Sequence, residues 1–498
     1  MSASWIDCCV AHIATIAGVE TAAVLRAFAA PFPRGGPPAP PEPASPGSFE
    51  ALERACAPIE PAQLIEDLSL DVDRAQAELF TRRLRAVDGF LDARPSAPAR
   101  VLRVGLRMRL AGILRATRPH ASRVRALADY YYSHGCRLAH HDADACSPSY
   151  ANALAALQWR GVVPGLHHAV LDGRFAEGPT HVNLLQVDPR RIEVRALDCR
   201  TRVDAGESFA QTVAGEGAVA ATSGGFFLYS EPDIAPPSRR HDPVGLLVRD
   251  GVVAAPPVFA RGALVIDRDG GVAIERVGLD GCVLQGHRGW QLRVEGAVNR
   301  AHAEVGPARR CMAIVGDHVV AVGIAPQVPL NGAVIPIGDV DVRIGDRVSC
   351  TLPPRSVAVA TAMAGGPMLG DAGHPAVLTE LRREDFWGTA PPVTFSQDET
   401  GDQNLLPRMV VGTRAASLIF AAVDGRNFER ALGMTLAGAG ALLLALGCER
   451  VLNLDGGSSK RMVLEGRTLD LPSTEVVGEG ATDPAIRPVY TALCMHRR

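Results

Sequence analysis

The spacing of apolar positions divides the chain into a helical part and a strand-rich part. Residues 5–30 predict a short helical segment, with Ala22, Ala23, Leu25, Ala27 and Phe28 prominent. Eight prolines follow between positions 31 and 46, too many for a helix or an inner strand, so a polyproline-like linker is expected there. From about residue 49 the helical pattern returns, with Val72, Ala75, Leu79, Leu84, Val87 and Leu91 at roughly helical spacing. Further helices are predicted over about 100–118 and 121–132.

Near residue 160 the pattern changes. Short β-type runs separated by Gly, Pro and Asp predict strands at His181–Val187, Ile192–Leu197, Val244–Arg249, Gly262–Ile266, Val272–Val277, Met312–Val315 and His318–Val322. One long helix is expected in the last quarter. Leu432, Leu436, Ala439, Leu443 and Leu446 share a face, while Leu442 and Leu444 make the other faces apolar, which predicts burial all round. Gly447 is a plausible stop, and Arg450–Leu454 reads as a strand running into Asp455-Gly456-Gly457. The expected fold class is α+β: a helical N-terminal region, then a β-rich mixed α+β domain. The expected divisions are a helical segment at 1–30, a Pro-rich linker at 31–48, a helical domain at 49–160 and the main domain at 161–498.

Composition narrows the function. Of 51 basic residues only Lys460 is lysine, and the formal charge of −3 argues against a general polyanion binder, so no nucleic-acid partner is expected. The eight arginines between Arg100 and Arg125 fit a solvated helix face, or else an acidic partner surface. Eleven scattered cysteines without a CxxC predict a reducing compartment rather than a disulfide framework. The N-terminus lacks a basic n-region, and no run of 18 apolar residues occurs; a cytoplasmic protein without a membrane span is expected. His134, Cys136, His140, His141, Asp142, Asp144 and Cys146 are metal-ligand types, but no standard zinc spacing is met, and a polar loop is the plainer reading. Cys8-Cys9 with a distant histidine could serve a thiol hydrolase; core cysteines of a helix are the simpler account.

The densest chemical cluster is Asn453-Leu454-Asp455-Gly456-Gly457-Ser458-Ser459-Lys460. On a strand, Asn453 and Asp455 share a face while Leu454 points to the core. The glycines allow a sharp turn, and amides in such a turn can cradle an anion. A carboxylate beside an anion cradle suits a hydrolase; a tight turn between buried strands suits the same letters. The spacing of a P-loop is absent. Val423-Asp424-Gly425-Arg426 at a strand-to-helix junction and Ser223-Gly224-Gly225-Phe226-Phe227 are further candidates, while Gly365-Gly366-Pro367 and Pro407-Arg408 are individually weak.

Taken in order, Gly224–Phe227, Gly365–Pro367, Pro407-Arg408 with Val411-Gly412, Val423–Arg426 and Asn453–Gly457 resemble the phosphodiester glycosidase family over roughly 160–498. His181–Pro189, with Asp188, resembles that family's opening strand. The resemblance implies a β-rich mixed domain that hydrolyses a sugar-1-phosphodiester, small or glycan-borne, to sugar and phosphomonoester. It implies no organic cofactor, and it leaves a divalent cation near the acidic residues open. It places Asp455 as the catalytic carboxylate with Asp424 as partner, and Arg408 and Arg426 as a phosphate clamp. The Gly456, Gly457, Ser458 and Ser459 amides and the Ser459 hydroxyl would complete the cradle, with Lys460 either adding its charge or facing solvent. Asn453 and Ser223 would meet sugar hydroxyls or orient the carboxylate, and Gly224, Gly225, Gly365 and Gly366 would bring backbone to the substrate. Five positions depart from the pattern, Lys460 and Arg461 among them. Ser223 replaces a usual Asn, Ser458 a third glycine and Met409 a threonine, and only Ser459 clearly keeps the following hydroxyl run. Altered specificity or a silent carbohydrate- or phosphate-binding module is therefore the competing expectation.

Overall fold

The computed structural model divides into two units, Met1–Ser147 with Glu475–Thr482, and Pro148–Thr474 with Asp483–Arg498. The structure describes residues 150–175, 178–228, 234, 237–300, 309–376, 380–381, 383–384, 386, 405–425, 431, 433–471 and 488–498, all within the second unit. The predicted N-terminal helices, the Pro-rich linker, Cys8-Cys9, Arg100–Arg125 and the His134–Cys146 cluster lie outside these residues.

The α+β expectation is corrected here. The described chain is mostly β, 47% strand against 12% helix, in five antiparallel sheets, and it includes no helical N-terminal region. Among the described residues the helices longer than a turn or so are few, and Leu436–Ala445 is the longest. Strands dominate because runs such as Ser417–Val423 and Gly178–Val187 are apolar on both faces, and each face finds a core. Ile419, Ala421 and Val423 enter one core, while Leu418, Phe420 and Ala422 enter the other. Side chains on a strand alternate, so a continuous apolar run is what a doubly covered strand requires.

These two strands sit at the centre of an eight-stranded sheet. Its order is Arg160–Val163, Leu166–Phe175, Gly178–Val187, Ser417–Val423, Arg408–Arg414, Arg450–Asn453, Met368–Asp371, His374–Pro375. One face packs on the Leu436–Ala445 helix through Leu436, Ala439, Leu442 and Leu443, and on the sheet containing Met312, Ile314 and Ile335. The opposite face packs on strands carrying Leu264, Ile266, Leu493 and Met495. The helix begins at Thr435, whose hydroxyl accepts the Gly438 N–H at 2.9 Å, an N-cap bond. It stops where the sequence indicated: Gly447 takes φ +83° and returns its N–H to Leu444 O.

Register fixes which strand ends meet. Arg408 lies opposite Val423, Val423 opposite Val182, and Val410 opposite Asn453. His181, Arg408, Asp424 and Asn453 therefore emerge at one end of the sheet. Two five-stranded sheets end there as well. One contributes Ser223 beside Ala492, and the other contributes Ala364 beside Ala263, just before Gly365.

Phe420 is fully buried at the middle of this arrangement. Truncating it to Ala should cost about 3–5 kcal/mol in equilibrium urea unfolding; a loss under about 1 kcal/mol would show that the doubly covered strand is not the packing centre.

Candidate functional site

The five turns singled out in the sequence meet, and they meet through main chain. Asn453 exchanges bonds with the Gly365-Gly366-Pro367 turn: Gly366 N–H donates to Asn453 O at 2.7 Å, and Asn453 Nδ2 donates to Gly366 O at 2.9 Å. Asp455 N–H donates to Gly224 O at 3.0 Å, and Gly457 N–H to Pro407 O at 2.7 Å. A Cβ on Gly456 would stand 2.8 Å from Pro407 O, and one on Gly425 would stand 2.7 Å from Pro407 N. A Cβ on Gly225 would run into Ala364 O, and one on Gly365 into Asn453 O. Close backbone approach, expected to serve a ligand, here serves loop-to-loop packing. Ser223 is buried, and its Oγ accepts the Arg461 N–H at 3.2 Å. Thr491, first residue of the last strand, donates its hydroxyl to Gly225 O at 2.7 Å.

The charged residues form a floor beneath these turns. Lys460 is fully buried, ion-paired to Asp424, 3.1 Å from Asp470 Oδ2 and donating to Leu471 O at 3.1 Å. Asp424 Oδ1 also accepts the Leu471 N–H at 3.1 Å. Burial pushes the Asp424 carboxyl above the ordinary aspartate value and Asp470 adds to the rise, while Lys460 pulls it back. Arg408 is buried too, its Nε donating to Met434 O at 2.9 Å. Asp455 differs from Asp424 and Asp470 in being only half-buried. Among the polar atoms of the cluster, Asn453 Oδ1, Ser459 Oγ and Asp424 Oδ2 are buried without a hydrogen-bond partner in the structure. Arg426 lies outside the described residues.

Residues 331–496 match the family model for phosphodiester glycosidase. That segment carries Gly365–Pro367, Pro407-Arg408, Asp424 and the whole Asn453–Lys460 run, so the resemblance read from those motifs holds. No curated protein matches the chain. Among solved structures, a hypothetical protein from Synechocystis aligns at 19% identity and TM-score 0.45, over 71% of this chain and 65% of that one. The zebrafish N-acetylglucosamine-1-phosphodiester α-N-acetylglucosaminidase catalytic domain, auto-inhibited by its pro-peptide, aligns at 16% identity and TM-score 0.41, over 72% and 94%. The chain thus spans a little under two thirds of the first of these proteins.

Several residues of the matched segment and its surroundings were not singled out in the sequence. Asp470 stands between Leu469 and Leu471 after a short hairpin, and nothing local marks it as the second partner of Lys460. His181 was read only as the start of a strand, yet its Nε2 lies 3.9 Å from Asp424 Oδ2. Glu384 is fully buried under the Gly365–Pro367 turn and accepts N–H bonds from Gly262 and Met368. Beside it the Arg261 guanidinium lies between the rings of Phe259 and Phe386, 4.5 and 3.9 Å from their centroids. The one signal for the lysine cluster was Lys460 itself, a lysine in a chain that otherwise uses arginine. Among the described residues no group of three or more His, Cys, Asp or Glu side chains could hold a metal ion, and no helix is long and apolar enough to cross a membrane. An open cleft lined by His167, Gln186, Asp188, Arg190, Arg191 and Arg414 lies at the opposite end of the large sheet and holds none of the predicted site residues.

Removing the ammonium leaves two buried carboxylates. Lys460→Met should destabilise the protein by about 3–5 kcal/mol. Folding then resists ionisation of Asp424, so the deficit should grow as pH rises above 3.8, the ordinary aspartate value. Equal urea midpoints for variant and parent at about pH 8 would dissociate Lys460 from the floor.

Burial holds the proton on Glu384 up to about 7, against an ordinary 4.5, although the Gly262 and Met368 N–H groups pull the other way. The folded state then binds more protons than the unfolded one between those values, so this group makes stability fall as pH rises from 4.5 to 7. The slope from one such group is at most about 1.4 kcal/mol per pH unit. Glu384→Gln cannot titrate, and should flatten that part of the stability profile in urea melts across the window; an unaltered slope would contradict the assignment.

Proposed function

We propose that the chain is a hydrolase of sugar-1-phosphodiesters, cleaving the glycosidic bond to release the sugar and a phosphomonoester. The observation that carries this is the half-buried Asp455, held by Gly224 O and flanked by Pro407-Arg408, at the head of a Gly-Gly-Ser-Ser turn. The family match over 331–496 supports a glycosidase-type hydrolase, and the chemistry suits the residues. A phosphomonoester leaves as an anion whose second pKa is about 6, so departure needs less proton assistance than an alkoxide would. The larger demands are activating water, or supplying a nucleophile, and holding phosphate charge.

Asp455 fits the first demand, because Asp424 and Asp470 are spent on Lys460 while Asp455 alone of the three reaches the surface side. Arg408 and the Ser459 hydroxyl fit the second, since the Gly457 and Ser459 N–H groups of the expected cradle already donate to Pro407 O and Gly456 O. Asn453 Oδ1 is an acceptor suited to a sugar hydroxyl. Asp424 is assigned to fixing Lys460 and, through it, the turn. Substrate charge would raise the demand on Arg408, whose planar guanidinium matches two phosphate oxygens. Hydrolysis requires no organic cofactor.

A silent carbohydrate- or phosphate-binding module is the second reading. It is favoured by the occupation of Arg408 Nε, Asn453 Nδ2 and Lys460 with protein partners.

The deciding assay offers a panel of sugar-1-phosphodiesters to the purified full chain. Turnover is expected, and Asp455→Asn should reduce kcat by about 10²–10⁴-fold. Undiminished turnover in the variant removes Asp455 from the chemistry. Saturable binding by the parent with no release of sugar supports the silent module instead.

A further inference from the structure

The loop that carries Asp455 is poorly equipped to hold its own shape. Gly456 and Gly457 lose more conformational freedom on ordering than other residues would. Gly457–Ser459 is a short 3₁₀ turn, and hydrogen-bond geometry in such turns is poor. Its internal bonds are Ser459 N–H to Gly456 O at 3.0 Å and a long one from Lys460 N–H to Gly457 O at 3.4 Å. The place of the loop must therefore be set by other groups, and its remaining bonds show which.

The loop begins and ends on the same dipeptide, Ser223-Gly224. At its head, Asp455 N–H donates to Gly224 O at 3.0 Å, and the Ser223 hydroxyl is directed to Asp455 O at 3.5 Å. At its tail, Ser223 Oγ accepts the Arg461 N–H at 3.2 Å, and Ser223 N–H donates to Arg461 O at 2.9 Å. Strand register sets this meeting, because Thr222 lies opposite Met462, the residue after Arg461. Between head and tail the Arg461 side chain folds back on the loop. Its Nη1 donates to Ser458 O at 3.0 Å and to Lys460 O at 2.6 Å. Carbonyls at the end of a helical turn have no acceptor role left within it, and a nearby arginine is a fitting donor. Arg461 and Ser223 are both buried, so water does not replace a bond lost here. The neighbouring side chain points elsewhere: Lys460 reaches Asp424 and Asp470. Lys460 thus ties the loop to the floor, while Arg461 braces it from within.

We propose that Arg461, joined to Ser223, is a positioning residue for Asp455. The guanidinium holds the carbonyls at the far end of the loop. The Ser223 hydroxyl connects that end to the main chain of Asp455, and the carboxylate is thereby kept at one place and angle. Arg461 acts through the loop, with Nη1 committed to main-chain oxygens, and not as part of a phosphate clamp. Of the two roles expected for Ser223, the geometry selects orientation of the carboxylate over contact with a sugar hydroxyl. The kinetic consequence rests on the hydrolase reading; the bracing of the loop does not.

Two measurements on the full chain test this. Amide hydrogen exchange reads the loop directly. In Arg461→Met the Asp455, Gly457 and Ser459 amides should exchange about tenfold faster or more, while those of the Arg408–Arg414 strand keep their protection. Equal acceleration of loop and strand means that Arg461 only supports the fold, and an unaltered loop means that it braces nothing; either result overturns the proposal. Ser223→Ala removes one hydroxyl and no charge. It should accelerate the same loop amides, and it decides the question if Arg461→Met does not fold. Steady-state kinetics with a sugar-1-phosphodiester read the consequence. A displacement of about 1 Å can slow a reaction about 10²-fold, so kcat should fall about tenfold or more in both variants. KM should stay at the parental value, because no substrate contact is removed. A raised KM with parental kcat in Ser223→Ala makes Ser223 a substrate contact and overturns the positioning role, as do parental constants in both variants. A parent that hydrolyses no sugar-1-phosphodiester refutes the proposed function, while hydrogen exchange still decides the brace.

Discussion

A single buried ammonium between two buried carboxylates holds the candidate site together. Lys460 joins the turn after Asp455 to Asp424 at the end of one central strand and to Asp470 after a hairpin of a different sheet. Such a cluster contributes little net stability, because desolvating three charges offsets most of their attraction. Its value lies in specificity: any arrangement that separates the three leaves an unpaired charge in the dark. The apolar cores above and below the sheet tolerate some repacking. The floor of the site does not, and so it fixes the relative position of elements from distant parts of the chain.

Above that floor the loops are joined by peptide groups. Pro407 O, Gly224 O, Gly366 O and Asn453 O each accept a bond from a neighbouring turn. Small residues are needed at those crossings because a methyl group would strike a carbonyl oxygen. The main chain builds the frame, while a few side-chain polar atoms, among them Ser459 Oγ and Asn453 Oδ1, stay buried without a hydrogen-bond partner. Glu384 and the ring-stacked Arg261 support the frame from below the Gly365–Pro367 turn.

Much of this was legible in the sequence, and the illegible part has physical reasons. The strand at Val272–Val277 and the stop at Gly447 follow from alternation and from the left-handed preference of glycine. The helix around Leu436–Ala445 is legible from its all-round apolar character, though its described start lies after Leu432. The site turns are legible because glycine pairs beside Asp, Asn and Arg are unusual in a core. The α+β class was not, since it leaned on N-terminal periodicity and underweighted short strands such as Gln291–Arg293 and Val348–Thr351. The partners of Lys460 and the burial of Glu384 were illegible for another reason. They are contacts between segments far apart in the chain, and an acidic residue between leucines carries no mark of what it will face.

The closing strand has a consequence for how the protein comes into being. Thr491–Arg497 threads between Ala220–Ser223 and Ile192–Asp198, and its first residue secures Gly225. The partner strands leave the ribosome some 270 to 300 residues earlier. Until the tail arrives, their edges stay open and the Ser223–Gly225 turn lacks its tether, a long-range closure of the kind that slows folding and exposes unpaired strands. The site turns are therefore complete only once translation has passed this strand, and a molecule clipped before it is left with an untethered Ser223–Gly225 turn.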